Sequence, residues 1–113
     1  MAIRIPDPLK RRHLVEGELD AAKAVALADA YLEEGLVLDA VPFLEKAGAH
    51  ERLEELLHEV IRSGNVFEVR AVAEALKKPL EAHHWEEVAR AAREQGKDQY
   101  ATEANAQVER LRS

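Results

Sequence analysis

Residues 19–48 read LDAAKAVALADAYLEEGLVLDAVPFLEKAG, and this stretch decides the fold class. Apolar residues recur three and four positions apart: Ala24, Leu27, Ala28 and Tyr31 before Gly35, then Ala40, Leu44 and Ala47 before Gly48. That spacing is the period of an α-helix, and the sustained alternation of a half-buried strand is missing. Gly35 and Gly48 stand where each helix has to stop, because glycine enters the left-handed conformation of a helix end without a Cβ penalty. The stretch therefore predicts two helices, about 19–34 and 38–47, joined by a tight reversal. Pro42 falls inside the second one. It is expected to sit within the first turn, where backbone N–H groups have no intrahelical partner to lose.

The same punctuation continues in both directions. Asp7-Pro8 reads as an N-cap followed by proline in the first helical position, opening a short helix over 8–16 that Gly17 ends. A helix over 51–63 stops at Gly64. Asn65 caps the next, which ends before Pro79, since the residue preceding a proline resists helical geometry. Another runs over 81–95 to Gly96, and Asp98 is expected to cap a last helix reaching nearly to Ser113. The turn glycines Gly35, Gly64 and Gly96 are spaced by 29 and 32 residues. Two helices per unit at such a period are the mark of a helical solenoid. The expected fold is all-α: one domain over 1–113, an alpha-alpha superhelix of three hairpins at about 19–48, 50–78 and 81–112. The last helix is expected to cap the array through a narrow stripe of Ala101, Ala104, Val108 and Leu111. The first helix, with Leu9, Leu14 and Val15, stands at the other end.

Composition agrees with this and removes several function classes. The chain has 113 residues, enough for one domain with a core of its own. Apolar residues make up 47% but aromatics only 4%, so the core has to be built from Ala, Leu and Val, which suits helices. Cysteine is absent, which excludes disulfides, thiolate metal sites and cysteine nucleophiles. The net charge of -6 opposes binding to a phosphate backbone, so no nucleic-acid partner is expected. The apolar-leaning run 36–44 is interrupted by Asp39 and Pro42, and the charged start of the chain lacks the apolar run of a signal peptide. No membrane association is expected, and a cytoplasmic location is the default.

The three hairpins resemble tetratricopeptide repeats. That family places a large residue early in the first helix, then a large–small pair, an aromatic and a turn glycine; its second helix carries a small, a large and a small residue. In the first hairpin Leu27-Ala28, Tyr31, Gly35, Ala40, Leu44 and Ala47 stand at the family's spacing, with Ala24 where tryptophan is typical. The third supplies Trp85, Val88-Ala89, Ala92, Gly96 and Ala101, then departs at Asn105 and Val108. The middle one keeps Leu53, Leu56 and Gly64 but has Leu57, Val69 and Leu76 at small positions and Ala73 at a large one.

The resemblance implies a concave groove lined by the first helix of each hairpin. Its positions would be Val25, Asp29, Leu32 and Glu33; then Glu54, His58, Ile61 and Arg62; then His83, Glu86, Arg90 and Arg93. Val25, Leu32 and Ile61 would anchor apolar groups, while Arg62, Arg90 and Arg93 would select acidic ones. Family members that clamp a terminal carboxylate use Lys and Asn in this groove. Here Val25, Asp29, Glu54 and His58 stand there, so that activity is not implied. The expected function is a non-enzymatic interaction module, an adaptor for a peptide or a segment of another protein. The alternative is a homodimer formed through the same groove.

Other motifs are weaker. Two Glu-x-x-His pairs, Glu55 to His58 and Glu81 to His84, have the spacing used in carboxylate-bridged metal bundles. Glu55 and His58 lie opposite the apolar stripe of Leu53, Leu56, Leu57 and Val60 and are expected to face water, so no metal or other cofactor is expected. His83 and His84 are expected to be exposed neighbours of a buried Trp85. The only serines are Ser63 and Ser113, and no glycine-rich phosphate loop occurs. Lys10-Arg11-Arg12-His13 is expected to be a solvated basic face on the short first helix.

Overall fold

The computed structural model describes residues 4–113; Met1, Ala2 and Ile3, at the charged start of the chain, lie outside the described residues. Among those described there are seven helices and no strand: α1 (Pro8–Glu16), α2 (Ala21–Glu33), α3 (Val37–Lys46), α4 (His50–Ser63), α5 (Val66–Leu76), α6 (Ala82–Glu94) and α7 (Asp98–Arg112). Local chemistry sets most of the ends. Asp7, Asp20 and Asn65 each accept a hydrogen bond from the backbone N–H three residues on, at 2.9, 2.9 and 3.0 Å, satisfying one of the orphan donors of a helix start. The Asp20 cap is why α2 begins two residues later than periodicity suggests. Asp98 does not cap α7. It is the first helical residue, where its negative charge faces the positive end of the helix dipole. Pro42 is the sixth residue of α3 rather than part of its first turn. The carbonyl left without its usual donor belongs to Leu38, which is half exposed, so water can satisfy it.

The chain forms two compact units, one up to Leu53 and one over Glu54–Ser113. In the first, α2 and α3 pair as a hairpin. Ala24, Ala28 and Ala40 are completely buried, which lets the helices approach closely, and Phe43 and Leu44 fill the space between them. The Tyr31 and Phe43 rings stack at 5.7 Å, inclined by 12°. Helix α1 buries no residue of its own, and Leu9 stays 67% exposed. It attaches through side chains instead. Lys46 donates to the Val15 carbonyl at 2.9 Å. The Arg11 guanidinium lies 5.5 and 5.6 Å from the Tyr31 and Phe43 ring centres and donates to the Asp39 carbonyl at 2.9 Å.

The basic cluster is thus not a uniformly solvated face. Arg11 turns inward because a guanidinium is weakly hydrated and stacks on aromatic rings. Arg12 pairs outward with Glu16 at 3.0 Å. Burial pushes the Tyr31 phenol above its ordinary value, against the pull of Arg11 beside it.

The second unit has a core of Val66, Val69 and Val72 from α5, Trp85, Val88 and Ala92 from α6, and Ala101, Ala104 and Val108 from α7, joined by Leu56, Leu57 and Val60 of α4. Leu111 does not join the apolar stripe of α7; it is 50% exposed in the last turn. The ends of α4 and α6 are tied together. Lys97 Nζ donates to the Ser63 carbonyl at 2.6 Å and Gln95 Nε2 to the Arg62 carbonyl at 3.0 Å. Gly64, at φ +74°, allows this approach: a Cβ there would lie 2.7 Å from the Ala92 nitrogen. Helix α5 ends on Lys77, which takes the left-handed conformation (φ 54°) usually left to glycine, and the Lys78 N–H bonds back to the Ala73 carbonyl at 3.0 Å.

Candidate functional site

The groove positions inferred from the repeat resemblance have different fates. In the first unit Val25 and Leu32 are half-buried, Glu33 is exposed, and the Asp29 carboxylate is held by Arg52. In the second, Glu54 pairs with Lys78 at 3.4 Å and Glu86 with Arg112. His58 is exposed, and His83 lies 3.2 Å from Glu81. Ile61 is only 4% exposed, a core residue rather than a free apolar anchor. The reason is its place in α4, one residue after Val60 and four after Leu57, on the buried stripe.

The structure brings three of these residues together. Ile61 and Arg62 of α4 and Arg90 of α6 line an open depression of about 390 Å³ with Glu87, Ala91 and Glu94. Half-buried Ala91 gives it apolar surface, with only a sliver of Ile61 reaching it, and the charged side chains surround them. Arg93 and Glu86 do not line it. Glu87 and Glu94 were missing from the groove inferred by family position, but helical spacing points to them: they lie three before and four after Arg90, on its face.

Electrostatics sharpen the picture. The carboxylates of Asp29, Glu54 and Glu86 are each paired with a cation. Among the described residues Arg62, Arg90 and Arg93 enter no ion pair, and Arg62 and Arg90 are exposed. The pairing is therefore uneven: Asp29, Glu54 and Glu86 are neutralised, while the arginines, and Glu87 and Glu94 beside Arg90 in the depression, enter no ion pair among the described residues.

The histidine pair has a structural part. His84 Nδ1 accepts the Glu81 N–H at 3.0 Å, closing a capping box at the start of α6. That nitrogen is therefore engaged with the backbone. Among the described residues no three His, Asp or Glu side chains converge as metal ligands would. Burial lowers the pKa of His84 from its ordinary 6.5, with His83 and Lys78 adding to the effect and Glu81 and Glu87 opposing it. The unfolded chain then takes up the proton first, so stability contributed by neutral His84 is complete above pH 6.5 and declines as the pH falls through the lowered folded value. The melting temperature of wild type should fall more than that of His84→Asn between pH 7 and about 5. Asn keeps an acceptor for the cap but carries no titrating group, so parallel curves would remove His84 from the acid response.

No helix among the described residues is long and apolar enough to cross a membrane. No protein-family model, no curated protein and no solved structure matches the chain.

Proposed function

We propose that this chain is a non-catalytic interaction module whose α4–α6 face binds an acidic segment of another protein. The reading takes the helical hairpins as degenerate tetratricopeptide-like repeats of a superhelical array. It is supported by the left-handed turn glycines Gly35, Gly64 and Gly96 and by the burial of Trp85, Ala28 and Ala89. One observation carries the choice of partner: Arg62 and Arg90, both exposed and unpaired among the described residues, flank a shallow depression with apolar surface. An arginine fork recognises carboxylates bidentately, and apolar surface beside it adds affinity.

The test is retention of a partner by the tagged protein from its own cells. The double variant Arg62→Glu/Arg90→Glu should lose the partner by at least about tenfold, equivalent to about 1.4 kcal/mol, with helix content unchanged. Equal retention by variant and wild type overturns the assignment of this face.

A further inference from the structure

A second depression lies on a different part of the second unit. About 380 Å³ in volume, it is lined by Ala73, Pro79, Leu80, Trp85 and Leu111 and bordered by Arg70, Lys77 and Lys78 against one carboxylate, Glu74. Arg70 also lies 5.9 Å from the Trp85 ring centre and pairs with Glu103 at 2.8 Å. Lys77 enters no ion pair among the described residues, and its left-handed backbone places it where the chain leaves α5. With Arg70 on Glu103 and Lys78 on Glu54 at 3.4 Å, Lys77 is the unpaired cation at the edge of this apolar hollow among the described residues.

The complement of that hollow is present in the first unit. The turn between α2 and α3 exposes Leu36 and Leu38, at 41% and 50%, next to the exposed carboxylates of Glu33 and Glu34. It is also preorganised: Gly35 N–H bonds to the Leu32 carbonyl at 3.0 Å and Leu36 N–H to the Tyr31 carbonyl at 2.9 Å. A rigid tip loses little freedom on docking, which favours binding through so small a surface.

We propose that the α2–α3 tip of one copy docks into the Trp85 hollow of a second copy, leucines against the apolar lining and Glu33 and Glu34 against the unpaired Lys77 at its edge. Tip and hollow are different surfaces, so the contact is heterologous rather than self-complementary. With few side chains involved it sits at the low end of interface sizes, and the association is weak. Ion pairs at its edge are screened by salt, so high ionic strength weakens it further. It uses neither Arg62 nor Arg90 and stands apart from the function proposed above.

The experiment is sedimentation equilibrium on three full-length chains: wild type, a tip variant Leu36→Ser/Leu38→Ser and a hollow variant Lys77→Glu/Leu111→Glu. All four substituted positions are exposed, and circular dichroism checks that each chain keeps its helices. The average mass of wild type should rise above the 12.6 kDa monomer between about 10 μM and about 1 mM, a range matched to a weak contact. Each variant alone should remain monomeric. Mixed in equal amounts they should form a dimer and nothing larger, because the tip variant still offers a hollow and the hollow variant still offers a tip. Monomeric wild type at the highest concentration overturns the proposal. So does self-association surviving in both variants, which would place the contact elsewhere, or a mixture that stays monomeric. Arg62→Glu/Arg90→Glu should associate as wild type does, which separates failure here from failure of the partner-binding face.

Discussion

Gly64→Ala should destabilise the protein by about 3–5 kcal/mol, while Gly35→Ala and Gly96→Ala should each cost about 1–2. All three glycines have φ near +70°, at 74°, 74° and 72°, so all three substitutions carry the left-handed penalty. They differ in what the new methyl meets. At Gly35 and Gly96 nothing lies within 4 Å. At Gly64 the Cβ would sit 2.7 Å from the Ala92 nitrogen and 2.8 Å from its Cα. Those are backbone atoms inside α6 and cannot rotate away, so the α4–α6 contact has to open. The hydrogen bonds from Lys97 to the Ser63 carbonyl and from Gln95 to the Arg62 carbonyl, which tie the same ends, should weaken with it. Thermal unfolding checks the ranking. About 3 kcal/mol lowers the melting temperature by about 12 °C or more in a chain near 100 residues. Equal losses at the three glycines would show that α4 and α6 do not approach as closely as described.

Phe43→Ala should cost about 3–5 kcal/mol through a cavity at the centre of the first unit. Phe43 is completely buried, and its ring does two things at once. It stacks on Tyr31, and it forms one side of the aromatic surface over which Arg11 holds α1. Phe43→Leu keeps most of the volume and should cost less than half as much, since volume-conserving swaps lose about 1.5 kcal/mol or less. Both variants should also loosen α1, which buries no residue and depends on Arg11 and Lys46 for attachment. Denaturant titration gives the stabilities, and amide exchange in residues 8–16 reads the attachment of α1. Unchanged α1 exchange in Phe43→Ala would mean that the ring adds nothing to the seat of Arg11. A cost near 1 kcal/mol for Phe43→Ala would mean the core collapses around the gap.

The helices were legible because their signals are local. Gly35, Gly48, Gly64 and Gly96 mark the turns, all with positive φ, and Asp7 and Asn65 cap the helices they were read to cap. Misreadings cluster where a side chain has two possible partners. The sequence reads Asp98 as a cap, but it is the first residue of α7; it reads Leu111 into the apolar stripe of that helix, but the residue is exposed, because hydrophobicity alone does not say whether a last turn is covered. Arg11 reads as solvated in the sequence because its seat comes from Tyr31, Phe43 and Asp39, at least 20 positions away.

The candidate site follows the same division. The sequence by itself determined the helical class, the turn positions and the residue types able to recognise an acidic partner. These depend on period, composition and backbone freedom within a few residues. Only the tertiary structure decided which charges remain available. It paired Asp29, Glu54 and Glu86 with Arg52, Lys78 and Arg112, turned Ile61 into the core, and left Arg62 and Arg90 beside one depression. It also surrounded Trp85 with Pro79, Leu80 and Leu111 under an edge of lysines. An ion pair or a hollow depends on side chains tens of residues apart meeting at a few ångströms, and no local pattern carries that distance.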